Sequence, residues 1–309
     1  MKNRAISKLL KTQLFWLLPM VIYSCQPNLE TKIESPTFGL EYKLNGKVKT
    51  LDVYFYEVNE KFGEFIKGDR KNWRRKYHID KSGNLTKKET FDTNDNLHSV
   101  TKYNYQSGNL ISYKDFDKFG NIDNSSNFEY DNDGNKIKSN HFDAENRLKS
   151  FYVMSYDRFG NLIEENRFEP DGQLLWKDKY NYDSKGNMVE HSSYKSNGDL
   201  KYKYVYEYDS NGNETSLIRF NNRKEIELKE VYSYINNNTL NEMIKYNSEG
   251  KISYSNKYFY NDKNDVIKIE SVLDDNFEYR YDEQNNWIEK VNIIGDFPET
   301  ITERIIEYY

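Results

Sequence analysis

The sequence predicts an all-β protein: an antiparallel β-meander of 26-residue, two-strand repeats that curls into a superhelical or spiralling sheet. Three observations predict this fold: a turn motif that recurs at one spacing, alternation of residue type between the turns, and a high aromatic content. Aromatic residues make up 16% of the 309 residues, with 28 Tyr and 17 Phe, although only 36% of the chain is hydrophobic. Disordered chains lack aromatic residues, so an ordered sheet is expected.

The turn motif is Tyr-Asp-x-x-Gly-Asn, as in the segments 128–136, 154–162, 180–188 and 206–214. Its final Asn returns every 26 residues, and a second series of turns lies between the first, so one repeat holds two turns. Asp opens such a turn by accepting a backbone hydrogen bond two residues on, and Gly supplies the positive φ of a short hairpin loop. The motif therefore predicts one hairpin after another.

The segments between the turns predict strands. Their first and last marker residues are an even number of positions apart, so both lie on one face of a strand. The segment 200–208 shows this best, because Tyr202, Tyr204, Tyr206 and Tyr208 alternate with Lys201, Lys203, Val205 and Glu207. A helix would scatter these tyrosines around its circumference. Fourteen strands are predicted from 97 to 272, with a last strand at 300–309.

The start of the chain predicts a lipoprotein signal peptide over residues 1–24. A basic segment precedes an apolar run from Leu14 to Tyr23, which is too short to cross a bilayer, since that takes about 20 residues. The run ends at Ile22-Tyr23-Ser24-Cys25, which resembles a bacterial lipobox, whose cysteine is acylated after cleavage. Cys25 is the only cysteine, so neither a disulfide nor a thiol nucleophile is expected. An incidental cysteine behind an ordinary secretory signal is the alternative.

Lipid attachment at Cys25 leads to a direct prediction. Cys25→Ala should move the protein from the membrane fraction to the soluble fraction, because the acyl chains that would hold it in the bilayer are no longer added. Fractionation of cells that express each form, followed by immunoblotting, measures this. If the variant stays in the membrane fraction, Cys25 is not the anchor.

The rest of the chain predicts a tether over 25–36 and one β domain over 37–309. Within that domain, 37–79 is an N-terminal cap without the 26-residue register, 80–272 holds the repeats, and 273–309 is a C-terminal cap. End segments that differ from the internal repeats are typical of repeat proteins.

The repeated Tyr-Asp-x-x-Gly-Asn resembles the YD repeat of the RHS family, over about residues 77–293. The segments 285–290 and 302–309 also resemble the endings of small YD-repeat lipoproteins of the Bacteroidetes. The resemblance implies strands wound into a long spiralling sheet. A toxin domain or self-cleavage region follows the repeats of large RHS proteins, and this sequence shows neither after its repeats, so a toxin-shell role is not expected.

Catalytic, metal and cofactor sites are not predicted. The carboxylates of 131–135 match part of an EF-hand loop, but the distal Glu ligand is missing, which favours a turn over a metal site. The four histidines, His78, His98, His141 and His191, are expected to point away from the aromatic face. Nucleic acid is not expected as a partner, because the formal net charge is −5 and binding to phosphates requires an excess of Lys and Arg.

The aromatic face is the one feature with binding potential. Its residues could stack on sugar rings or hold an extended peptide, and the candidates are Trp176, Tyr180, Tyr182, Tyr202, Tyr204, Tyr206 and Tyr208. The alternative, which the sequence favours, is that they form the core, because a long sheet cannot leave such a face in water.

Three functions remain open at this point. The leading hypothesis is a non-catalytic, lipid-anchored protein of the cell envelope, expected at the outer membrane, that presents its sheet to a glycan or a protein. The second is an accessory or immunity-like partner of an RHS-type toxin, which a neighbouring effector gene would support. An enzyme is the least favoured, and a cleft with converging carboxylates would revive it.

Overall fold

The computed structural model describes residues 44–309, and in this range the chain forms 21 antiparallel strands without a helix. The predicted signal peptide, the tether and the first residues of the predicted N-terminal cap lie outside the described residues. The strands are β1 (Val48–Lys61), β2 (Glu64–Arg70), β3 (Arg74–Ile79), β4 (Leu85–Phe91), β5 (Leu97–Gln106), β6 (Asn109–Asp117), β7 (Ile122–Tyr130), β8 (Lys136–Phe142), β9 (Leu148–Tyr156), β10 (Leu162–Phe168), β11 (Leu174–Tyr182), β12 (Met188–Lys195), β13 (Leu200–Tyr208), β14 (Glu214–Asn221), β15 (Ile226–Ile235), β16 (Thr239–Asn247), β17 (Ile252–Tyr260), β18 (Val266–Glu270), β19 (Asp275–Tyr281), β20 (Trp287–Ile294) and β21 (Phe297–Tyr308).

The sheet closes on itself. Each strand from β3 to β20 pairs with the strand that follows it, and β1 pairs with β3 on one side and with β21 on the other. The result is a closed barrel of 20 strands, and β2 folds back on the C-terminal half of β1. The all-β antiparallel meander is confirmed, but the superhelical or spiralling sheet was wrong. The physical reason is that β1 bonds both the first and the last strand of the meander, β3 and β21, so both edges of the meander are paired.

The fourteen predicted strands are present as β5 to β18, and β13 spans the Leu200–Tyr208 segment that showed the alternation best. The turns between them also follow the predicted chemistry. In the turn after β11, Asp183 Oδ1 accepts the backbone N–H groups of Lys185 and Asn187 at 2.9 Å, and Oδ2 accepts the Asn187 side chain at 2.9 Å. Gly186 has φ +85°, where a side chain would be strained.

The tyrosine of each motif joins neighbouring repeats. Its hydroxyl donates a hydrogen bond to the backbone carbonyl 20 residues earlier, at the start of the adjacent strand. These bonds measure 2.7–2.9 Å and run from Tyr130 to Leu110, Tyr156 to Lys136, Tyr182 to Leu162, Tyr208 to Met188, Tyr234 to Glu214 and Tyr260 to Leu240. Each bond satisfies a carbonyl beside the previous turn, which explains why the motif contains Tyr and not Phe.

Bulges beside the turns change which face a residue occupies. In β12 the partners pass from Glu190 to Met188 while β11 advances by one residue, so Val189 is an extra residue. This reverses the alternation predicted from Met188 and places His191 opposite Tyr180 and Tyr204. The prediction that all four histidines point away from the aromatic face was therefore wrong for His191.

The same prediction was wrong for His141 in β8. The register shift beside Lys136 makes Ile137 the extra residue, and His141 then pairs with Ser126 of β7 and Ser150 of β9 on the aromatic face. His78 lies on the opposite face, between Thr50 and Lys87.

A compact apolar core lies where the ring closes. Leu51 and Val53 of β1 are 1% exposed, and Tyr77 and Ile79 of β3 are buried beside them. Ile306 of β21 pairs with Leu51 and packs against the same cluster. Long-range apolar contact therefore holds the first, third and last strands together.

Candidate functional site

The candidate site lies on the aromatic face of the barrel. Cross-strand partners share a face, and a path of partners through the strands connects Tyr77, Lys88 and Thr101 at one end with His191 and Tyr204 at the other. The aromatic face is therefore one continuous surface from β3 to β13.

This face is the concave inside of the barrel. Several of its side chains are more buried than the residues next to them in sequence: Tyr206 is 4% exposed beside the exposed Glu207, and Ser126 is 2% exposed beside the exposed Asn127. Burial also raises the pKa of Tyr180 and Tyr206, both of which belong to this face. Side chains crowd together on the inside of a closed sheet and spread apart on the outside. We call this surface the interior face.

The predicted stacking residues do meet on the interior face, with a histidine between them. The His191 ring lies parallel to Tyr180 at 4.8 Å and parallel to Tyr204 at 5.9 Å, and it meets the edge of Tyr202 at 5.8 Å. Asp178 orients the imidazole through a 2.9 Å contact between its Oδ2 and His191 Nε2. Five groups from β11, β12 and β13 thus form one aromatic wall, which we call the His191 wall.

The seven predicted residues divide into three groups. Trp176, Tyr180, Tyr202 and Tyr204 are half-buried on the interior face and can contact a ligand, and Tyr206 is buried. The hydroxyls of Tyr182 and Tyr208 are engaged by the carbonyls described above, so their structural role is evident.

Sequence reasoning missed the charged residues of the interior face. Glu165 of β10 lies opposite Asp178 of β11, and burial together with the Asp178 charge raises the pKa of Glu165. Glu214 of β14 lies opposite Tyr208, and burial raises its pKa to about 8, with a contribution from the charge of Glu230. Glu165 carries no sequence motif, and only the bulged register of β10 shows that it faces inwards. Glu214 ends the motif segment 206–214, and its pairing with Tyr208 shows its face directly.

The outer face carries ion pairs between lysine and glutamate side chains. Lys and Glu residues alternate across the strands, as in the ion pairs Lys203–Glu190 at 3.0 Å and Lys177–Glu164 at 3.3 Å. Such half-exposed pairs contribute little to stability, typically below about 1 kcal/mol. They form an outer surface suited to water.

The carboxylates of the turns accept hydrogen bonds within the turns themselves. Both oxygens of Asp131 accept hydrogen bonds, from the backbone of Asp133 and Asn135 and from the Asn135 side chain. Across residues 44–309, no group of three or more His, Cys, Asp or Glu is placed to hold a metal ion. In the same residues, no helix is long and apolar enough to cross a membrane.

The chain shows distant likenesses to solved structures. No protein-family model matches the chain, and no curated protein matches it in sequence. A porin-like protein from Bacteroides uniformis is similar at 8% identity over 85% of this chain and 99% of that one, with a TM-score of 0.37. The Tc holotoxin pore of Photorhabdus luminescens is similar at 12% identity over 72% of this chain, with a TM-score of 0.31.

A TcdB2–TccC3 complex is similar at 11% identity over 79% of this chain, with a TM-score of 0.18. This chain spans 16% of the holotoxin chain and 18% of the complex chain, which are much longer proteins. At these identities and TM-scores the likenesses carry no argument about function. The resemblance to YD repeats of the RHS family stays a prediction from the motif.

Proposed function

We propose that this protein is a non-catalytic, lipid-anchored binding protein of the cell envelope that holds a glycan against its interior face. The observation that carries the proposal is the His191 wall: half-buried rings of Tyr180, Tyr202 and Tyr204 beside a carboxylate that is itself only partly satisfied. Sugar rings present C–H faces that stack on aromatic rings and hydroxyls that donate to carboxylates. Binding sites for small molecules commonly combine apolar walls with a few convergent polar groups.

The size of the ring supports access to this surface. Twenty strands at about 4.8 Å each give a sheet roughly 95 Å around, or about 30 Å across if the ring is round. Barrels of about 16 strands or more are too wide for side chains to fill. The aromatic contacts of the His191 wall run around the ring between neighbouring strands, which leaves their inner surfaces to a ligand.

Binding of a glycan can be tested by titrating the purified protein with cello-, chito- and malto-oligosaccharides in a calorimeter. At least one series should bind, and Tyr204→Leu should weaken it about tenfold, equivalent to about 1.4 kcal/mol, because leucine keeps apolar volume but removes the flat ring. The control is Phe159→Leu, which changes an aromatic ring in a turn that is 73% exposed and should leave binding unchanged.

Two results would contradict the proposal. If the folded protein binds no oligosaccharide, the proposal that its ligand is a glycan is wrong. Because Glu165 and Asp178 face each other inside the barrel, the same mixtures should also be examined by mass spectrometry. Release of shorter oligosaccharides would show that the protein is a hydrolase and would overturn its non-catalytic role.

A further inference from the structure

Two carboxylates meet on the interior face next to the His191 wall. Glu165 of β10 and Asp178 of β11 are direct cross-strand partners, and Asp178 is only 8% exposed. Like charges placed opposite each other on one face destabilise a sheet. Burial strengthens this repulsion, since the charges lose the screening of water.

The existing contacts compensate these charges only in part. Asp178 Oδ2 contacts His191 Nε2 at 2.9 Å, whereas Asp178 Oδ1 is buried without a hydrogen-bond partner. Among the residues that the structure describes, the Glu165 carboxylate has neither a hydrogen bond nor an ion pair, and burial raises its pKa while the charge of Lys136 partly lowers it. The buried, unmet Oδ1 of Asp178 costs free energy until a donor reaches it.

Two cations lie nearby, and neither forms an ion pair with Glu165 or Asp178 within residues 44–309. Arg167 follows Glu165 on the same face of β10; its guanidinium carbon lies 5.5 Å from the ring centroid of Tyr152 on β9, and its Nε is buried without a hydrogen-bond partner. The Lys136 ammonium lies 5.3 Å from the ring of Phe128 on β7. The spot formed by Glu165 and Asp178 therefore has one direct partner that can carry a positive charge, the His191 imidazole that contacts Asp178.

Aromatic rings border this spot on both sides. Trp176 and Tyr180 lie two residues before and two residues after Asp178 on β11, on the same face. Tyr152 meets the edge of Trp176 at 5.7 Å and extends the border to β9. Carboxylates between aromatic rings are the surroundings that proteins use to bind ammonium groups, through charge and cation–π attraction.

We propose that Glu165 and Asp178 bind a protonated amine, so that the glycan of the proposed function is one that carries free amino groups. This inference rests on the proposed function for the sugar, and on the carboxylate pair for the amine. An ammonium group donates hydrogen bonds to Asp178 Oδ1 and to Glu165 and also offsets their charges. A neutral sugar hydroxyl would supply only the hydrogen bonds and would leave two negative charges facing each other.

The test compares three probes by calorimetry at about pH 6, below the pKa of an amino group: a glucosamine tetramer, an N-acetylglucosamine tetramer of equal length, and spermidine, an amine without sugar. We expect the glucosamine tetramer to bind at least about tenfold more tightly than its acetylated form. Glu165→Gln should remove this preference. Glu164→Gln, the matched control one residue away on the outer face, is paired with Lys177 and should keep it.

Asp178→Asn serves as a second variant and should also remove the preference, with folding of every variant checked by circular dichroism. Equal affinity for the two tetramers, or a preference that survives both interior substitutions, would overturn the amine site and leave glycan binding intact. The protein could instead bind spermidine in a way that depends on Glu165 and bind no oligosaccharide. That result would support the amine site and would show that the ligand is not a glycan.

Discussion

Replacing Leu51 with alanine is expected to lower the free energy of unfolding by about 3 kcal/mol, the middle of the range for a buried leucine. Leu51 is 1% exposed and lies between Tyr77 of β3 and Ile306 of β21, where the ring closes. The substitution leaves a cavity in the apolar cluster that joins the two ends of the sheet. Urea denaturation followed by tyrosine fluorescence measures the loss.

The matched control is Ile305→Ala on β21. Ile305 is 55% exposed on the outer face, so its truncation should cost less than about 1 kcal/mol. The two substitutions remove similar apolar volume from adjacent strands but differ in burial. Equal losses in the two variants would show that closure does not depend on this core.

Closure could not be predicted from the sequence, although the strands could. The repeat sets each strand and turn through local chemistry, as in Asp183 and Gly186, and such local signals can be read one turn at a time. Whether a meander spirals or closes depends on its two ends. Here Leu51 pairs with Ile306, 255 residues away, through strands that lack the 26-residue register.

The candidate site was predictable in its aromatic part only. Trp176, Tyr180, Tyr202 and Tyr204 follow from simple alternation, because they lie in the regular middle of long strands. His191 and Glu165 lie in the shorter strands, where an extra residue beside the turn reverses the alternation. A bulge of this kind leaves the composition of a strand unchanged, so alternation alone places these residues on the wrong face.

Glu214 is expected to make the stability of the protein depend on pH. It is the last residue of the segment 206–214, whose motif defines the repeat. Its carboxylate faces the interior between the strands that carry Tyr206, Tyr208, Tyr232 and Tyr234, and its charge acts on all four. Burial first, and then the charge of Glu230, raises its pKa from 4.5 to about 8. Glu230 forms an ion pair with Lys245 at 3.0 Å and accepts a hydrogen bond from the Tyr232 hydroxyl at 2.6 Å. These partners therefore contact Glu230 and not Glu214.

A carboxylate whose pKa is raised by folding makes the free energy of unfolding fall as pH rises. The folded protein binds this proton more tightly than the unfolded chain does, so the favourable contribution is fully present below about pH 4.5 and is lost as pH rises to about 8. We expect the loss to reach about 3 kcal/mol at pH 8, less than the shift alone implies, because the carboxylate keeps some contact with solvent. Glu214→Gln removes the ionising group and should therefore be more stable than the natural chain at pH 8.

Urea denaturation of both proteins at several pH values between about 5 and 8 tests this, because the difference between them isolates the group from all others that titrate. The natural chain should lose stability relative to Glu214→Gln as pH rises. Glu207→Gln, an exposed change on the outer face of β13, should follow the natural chain throughout. Parallel curves for the natural chain and Glu214→Gln would mean that Glu214 is well solvated, and the interior face would then be wetter at this end of the strands than its burial indicates.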